Sequence, residues 1–270
     1  TSQYLFLSSS RVYADSKKAI KESSPRLLNV IEDEKYLSTD EYALTKARQE
    51  DILKKSGKFN WTIIRPYITY SEIRLQLGVL EKEEWLYRAL QGKTIVFSND
   101  VFTKKTTLTY GLDVSKGIMA TIGNSEALGQ FFHITGDESY KWSEILSCYL
   151  DVLEKHLGYR PKYLLQNSDK ILDVKSAKYQ VKYDRLYNRS FNNLKIKQYL
   201  NTETFTKTRD GLVKCLEEFL KTSEFKPINW RNEALKDRQT KEFTKLKEIP
   251  KIKQKVKYII YRYSPFVYKS

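Results

Sequence analysis

Two short apolar runs and the helix-forming segment between them constrain this chain more than any other feature. Tyr4-Leu-Phe-Leu leads into Ser8-Ser9-Ser10, and Trp61-Thr-Ile-Ile leads into Arg65-Pro66. Between them, Glu41 to Ser56 (EYALTKARQEDILKKS) is rich in strong helix formers, follows N-cap candidates in Leu37-Ser-Thr-Asp40, and stops at Gly57. Strand, helix, strand, with both strands apolar rather than alternating, predicts a parallel sheet covered by helices. Parallel strands put their carboxyl ends at one edge, where open α/β sheets bind ligands. The serine cluster and the Arg-Pro pair are therefore expected side by side.

The pattern continues. Leu80 to Gln91 reads as a helix closed by Gly92, and Thr94-Ile-Val-Phe as a strand. Thr106 to Tyr110 alternates like a strand, Asp113 to Ile122 reads as a helix, and Phe131-Phe-His-Ile-Thr as a strand. Trp142 to Leu157 is a long amphipathic helix before Gly158, and Arg209 to Lys221 places Leu212, Leu216 and Phe219 on one face. No apolar stretch is long enough for a membrane-spanning helix. The start, TSQYLFLSSS, has no initiator Met, basic segment or cleavage site, so no signal peptide is expected. Cys148 and Cys215 are the only cysteines and His133 and His156 the only histidines, which disfavours a disulfide scaffold or a metal site and fits a reducing cytoplasm.

Net charge is +15, which favours a polyanionic partner: nucleic acid, acidic lipid or a nucleotide diphosphate. Lys236 to Ser270 holds eleven basic and three acidic residues, about half of that excess. Its end, KIKQKVKYIIYRYSPFVYKS, reads as a lysine-rich helix and a terminal strand. Binding of nucleic acid or an anionic membrane stays open for it. The favoured expectation is that Ile259, Ile260, Tyr261, Phe266 and Val267 cover the core.

Tyr42 and Lys46 stand at i and i+4, hence on one helix face. A cation beside a phenol favours the phenolate, as a general acid/base requires. The ordered set LSSSRVY (7–13), YALTK (42–46), IIRPYITY (63–70), RALQGKTI (88–95), GLDVSKGI (111–118) and FFHITGDESYKWSEI (131–145) resembles the extended short-chain dehydrogenase/reductases, the NAD-dependent epimerase/dehydratases of nucleotide sugars. DRLYNRSFNNLKIK (184–197) is similar to the stretch before that family's last helices.

The resemblance implies the C-terminal part of a Rossmann-like parallel sheet with an interleaved smaller α/β substrate domain. Residues 1–135 would be the remnant of the NAD(P)-binding domain, 136–235 mainly substrate-binding, and 236–270 a basic tail. It implies Ser9, Tyr42 and Lys46 as catalytic residues, Tyr42, Lys46, Pro66 and Tyr67 as contacts to NAD or NADP, and a nucleotide-sugar substrate handled by epimerisation or keto-sugar reduction in glycan precursor synthesis. A homodimer is compatible with it. Ser8 and Ser10 are expected to bond the loop backbone.

Several positions depart from the family. Ser10-Arg11 replaces the Asp-Glu of the dehydratases, which disfavours water elimination; Ile68 replaces an Asn, and Tyr70-Ser71-Glu72 a Tyr-Gly-Pro turn. The usual Arg falls at Thr106, with Lys104 and Lys105 beside it as candidates for the diphosphate. No two glycines are closer than six residues, so the glycine-rich phosphate turn is not in this sequence. About a hundred family residues would precede Thr1, and these 270 alone are expected to bind cofactor weakly. The competing expectations are an RNA-binding protein and a non-catalytic scaffold on the same fold.

Overall fold

The computed structural model describes residues 2–171, 175 and 177–264. β1 (Tyr4–Leu7), α1 (Tyr42–Lys55) and β2 (Trp61–Pro66) come first, and β2 runs parallel to β1 with Tyr4 opposite Trp61 and Leu7 opposite Ile64. Next come β3 (Thr69–Tyr70), α2 (Lys82–Leu90), β4 (Ile95–Ser98), β5 (Lys105–Thr106), β6 (Thr109–Tyr110) and α3 (Gly111–Thr121). β7 (Gln130–Ile134), β8 (Tyr140–Lys141), α4 (Trp142–Leu157), β9 (Tyr163–Gln166), α5 (Thr208–Thr222), α6 (Trp230–Thr240) and α7 (Ile252–Tyr263) complete the order.

The main sheet has the order β1-β2-β7, all parallel. Its middle strand is buried from Trp61 to Arg65, which is why that run carries no polar alternation. The predicted strand over 106–110 is two short pieces: β5 pairs antiparallel with β8, and β6 pairs parallel with β3. β9, which pairs parallel with β4, has no clear sequence signal.

α1 is capped by Glu41 rather than by Ser38, Thr39 or Asp40. The Glu41 carboxylate accepts from Ala43 N at 2.8 Å and is itself held by Tyr36 Oη at 3.1 Å, whereas Asp40 faces solvent and pairs with Arg48. α3 rests directly on β7 because residue 117 is glycine: a Cβ there would come within 2.6 Å of Ile134. The largest apolar cluster joins Val12, Tyr13 and Tyr67 from the main-sheet side to Trp85, Val96, Tyr149 and Leu216. A second cluster of Ile64, Val114, Phe132 and Ile134 lies between the main sheet and α3, and the architecture is α/β with parallel sheets.

Beyond Lys236 the expected lysine-rich helix is present as α7, and the expected terminal strand would fall after it, on residues outside the described ones. The Lys-apolar alternation of 251–257 has strand period, but Tyr258 is fully buried against α6 and its hydroxyl donates to Asp237 at 2.6 Å. One helical face therefore packs. Ile259 and Ile260 do not cover the core; they are 40% and 48% exposed. Phe266 and Val267 lie outside the described residues. Position 236, the expected start of the tail, falls inside α6, with Lys236 and Asp237 both buried. No helix among the described residues is long and apolar enough to cross a membrane.

Candidate active site

The parallel pairing of β1 and β2 sets Ser8-Ser9-Ser10 beside Arg65-Pro66. Ser8 N continues the ladder by donating to Ile64 O at 2.7 Å. The three serines then diverge. Ser8 Oγ donates to Glu50 Oε1 at 2.6 Å, a side chain rather than the expected backbone, and Ser10 Oγ donates to Arg65 O at 2.7 Å. Ser9 has extended backbone, and its Oγ accepts from Arg11 N at 3.2 Å. Of the three, Ser9 lines an open cleft of about 420 Å³.

Tyr42 and Tyr67 also line that cleft, with Pro66, Arg11, Gln76 and Arg185. Tyr42 opens α1 and is 47% exposed. Lys46, one turn on, donates to Leu7 O at 2.8 Å, and its ammonium lies 5.9 Å from the Tyr42 ring centre. The Arg11 guanidinium lies 5.3 Å from the same ring. Tyr42 therefore stands beside two cations. Tyr67 is different: it is buried and donates to Asp184 Oδ1 at 3.1 Å, and burial followed by the Asp184 charge raises its phenol well above the usual value.

Behind the cleft lies Glu50, at i+4 from Lys46 and i+8 from Tyr42, and fully buried. It accepts from Arg65 Nε at 2.8 Å and Nη2 at 2.6 Å, and from Arg26 at 3.3 Å. Burial pushes the Glu50 carboxyl up, but the hydrogen bonds and charge of Arg65, with Ser8 and Arg26, outweigh it and hold it below the ordinary carboxylate range. Asp184 is a second buried carboxylate, paired with Arg185 and with Arg189 Nε at 3.0 Å; these charges, with Arg11, also overcome burial and hold it low. Arg11 pairs with Glu41, and its Nε is buried without a hydrogen-bond partner.

Ser9, Tyr42, Pro66 and Tyr67 thus meet at one cleft, with Lys46 fixed just behind Tyr42. Lys104 and Lys105 do not join them. Lys105 is on β5, opposite Lys141; its N–H donates to Asn188 and its carbonyl accepts from Arg189, while the Lys104 carbonyl accepts from Trp142 N. These pairings carry both lysines to a segment that lines no part of the cleft. Glu50 and Arg185 were missed by the sequence reading. The spacing Tyr42-x-x-x-Lys46-x-x-x-Glu50 is a one-face signal for the first; the second comes from a distant segment and has none.

Neither a family model nor a curated protein matches the sequence. The fold is nonetheless shared with known structures: it is the Rossmann-like fold of nucleotide-sugar epimerases and dehydratases. UDP-glucuronic acid 4-epimerase from Bacillus cereus, solved with UDP-glucuronic acid and NAD, superposes with a TM-score of 0.58 at 18% identity, over 82% of this chain and 62% of that one. dTDP-glucose 4,6-dehydratase from Bacillus anthracis, in complex with NAD, gives 0.57 at 17% identity, over 83% and 63%. The epimerase Mth375 from Methanothermobacter thermautotrophicus gives 0.59 at 15% identity, over 82% and 60%. The match spans about three fifths of the length of these structures.

Proposed function

We propose that this chain carries the catalytic portion of an NAD(P)-dependent enzyme acting on a nucleotide-diphosphate sugar, as a 4-epimerase or a keto-sugar reductase serving glycan precursor synthesis. The observation that carries the reading is the convergence of Ser9 and the exposed Tyr42 on one cleft at the strand ends, with Lys46 one turn behind.

The residues present suit the nicotinamide end of the cofactor. Lys46 uses one of its three donors on Leu7 O, and the others are available to a ribose hydroxyl beside Tyr42. Pro66 and Tyr67 would bound the ring. The diphosphate end would be held by residues outside this sequence, because no glycine-rich turn is within it. When bound, the cofactor supplies hydride exchange. The chain's own part is proton handling: Tyr42 Oη gives or takes the proton of a sugar hydroxyl or carbonyl, and Ser9 Oγ donates to the same oxygen. The Lys46 ammonium lies 5.9 Å from the Tyr42 ring centre, where a cation favours the phenolate. Ser10-Arg11, where the dehydratases carry Asp-Glu, offers no carboxyl group for acid/base-assisted elimination, which argues for epimerisation or reduction over water elimination.

The test uses the complete natural protein, whether that is these 270 residues or a longer chain, with NAD(H) or NADP(H) and UDP- and dTDP-hexoses, products being read by NMR. Tyr42→Phe is expected to lower turnover by about 10²-fold or more, and Ser9→Ala by a similar order, with the fold intact by circular dichroism. Turnover that survives both substitutions would sink the proposal.

A further inference from the structure

The mechanism leaves α7 unused, and this helix exposes several large apolar side chains. At about 100° per residue, Ile252, Val256, Ile259, Ile260 and Tyr263 fall in one stripe about 100° wide. All five are exposed, from 40% at Ile259 to 78% at Ile252. Lys253 and Lys257 border the stripe on one side and Lys255 on the other. From Ile249 to Ser264 the chain has five basic residues and no acidic one.

The rotation of α7 that presents this stripe is fixed by buried contacts on its opposite side. Tyr258 is fully buried; it donates to Asp237 and its hydroxyl accepts from Thr244 N at 2.7 Å. Arg262 Nε donates to Glu242 O at 2.9 Å, and Ser264 O accepts from Arg238 at 2.7 Å. Five large apolar side chains are thus held in water by a helix that cannot turn them inward.

We propose that α7 lies in the surface of an anionic lipid bilayer, its aliphatic stripe below the headgroups and its flanking lysines among their charges. A helix with an apolar face bordered by lysine is the physical form of an in-plane membrane helix, and each lysine near an anionic surface adds to the attraction. The charge pattern selects this occupant over two others. A second copy docked stripe to stripe would bring lysine rows together with no carboxylate on α7 to meet them. A nucleic acid would need stacking platforms, and four of the five stripe residues are aliphatic. The proposal is independent of the chemistry in the cleft.

Co-sedimentation of the full chain with phosphatidylcholine vesicles, with and without phosphatidylglycerol, tests it. Binding is expected to the anionic vesicles, to weaken with salt, and to be much weaker on phosphatidylcholine alone. Val256→Gln with Ile260→Gln replaces exposed β-branched residues by one of higher helix propensity, so it should lower binding about tenfold or more without lowering the melting temperature. Lys253→Gln, Lys255→Gln and Lys257→Gln together should lower it about tenfold or more on anionic vesicles only. Absence of vesicle binding by the full chain, or binding indifferent to the Val256/Ile260 pair, overturns the proposal. So does a dimer, or single-stranded RNA binding, that this same pair abolishes in place of vesicle binding.

Discussion

Glu50 behind the cleft and Asp237 beneath the C-terminal helices are both fully buried carboxylates ringed by donors, yet they join the chain over very different distances. Glu50 gathers Ser8, Arg26 and Arg65, all within the segment that forms β1, α1 and β2. Asp237 accepts from Arg88 at 2.8 Å and Lys93 at 2.9 Å, well over a hundred residues earlier, and from Thr244 and Tyr258 on its other side. The first clamp sets the spacing of strand ends that a local βαβ unit brings together anyway. The second attaches α6 and α7 to α2, through a charge cluster that also takes in Glu233 and Glu242. The strand ends of the cleft, which neighbouring segments bring together, are thereby organised separately from a surface helix that depends on distant ones.

The sharpest way to break this comparison is to remove each carboxylate. Glu50→Ala leaves Arg65 buried without its partner, and Asp237→Ala does the same to Arg88 and Lys93. Each is expected to cost about 3–5 kcal/mol in urea denaturation, because an uncompensated buried charge remains. Their functional signatures should separate. Loss of Glu50 should impair turnover more than vesicle binding, and loss of Asp237 the reverse. A cost below about 1 kcal/mol at Asp237 would show that apolar contacts, such as those of Trp230 and Ile249, hold the helices instead.

A smaller effect is expected at Gly117, which belongs to neither clamp. Gly117→Ala forces a methyl against Ile134 and should destabilise by about 1–3 kcal/mol, read as a fall in thermal midpoint without loss of the Glu50 or Asp237 contacts. A neutral result would mean that α3 can slide on β7.

The smallest effect is the pH response. Burial raises the Asp237 carboxyl, but the Tyr258 hydrogen bond and the Arg88 and Lys93 charges hold it below the ordinary value, as Arg65 does for Glu50. In both cases the unfolded chain takes up the proton first as pH falls. The stabilisation is therefore complete above the unfolded values of about 4 and is lost as pH drops through the lower folded ones. Denaturation curves should be flat from neutral pH to about 5 and fall steeply below 4. Glu50→Gln and Asp237→Asn should each flatten that fall; a fall that stays unchanged in both would place the acid sensitivity in other carboxylates, Asp184 first among them.

Most of the cleft was readable from sequence because it is local. Apolar runs ending in Ser9 and Pro66, with a helix between them, leave a parallel pairing few alternatives, and the i, i+4 rule puts Tyr42 and Lys46 on one face. Positions set by remote partners were not readable in this way. Pairing with β8 and with the Asn188–Arg189 segment decides where Lys104 and Lys105 lie, and no neighbour along the chain signals it. The N-cap candidates Ser38, Thr39 and Asp40 precede α1, but the cap is Glu41, which Tyr36 and Arg11 hold.

The alternation of lysine and apolar residues after Pro250 determined, by itself, that this segment would be basic and amphipathic. It suggested the helix but not which of its faces would be buried. Tyr258 finds a buried acceptor in Asp237, and that turns Ile252, Val256, Ile259 and Ile260 out to solvent. Periodicity is a property of neighbours along the chain, and it carries the βαβ unit. The orientation of a face depends on which distant side chain satisfies a buried polar group, and that was decided only when the chain had folded.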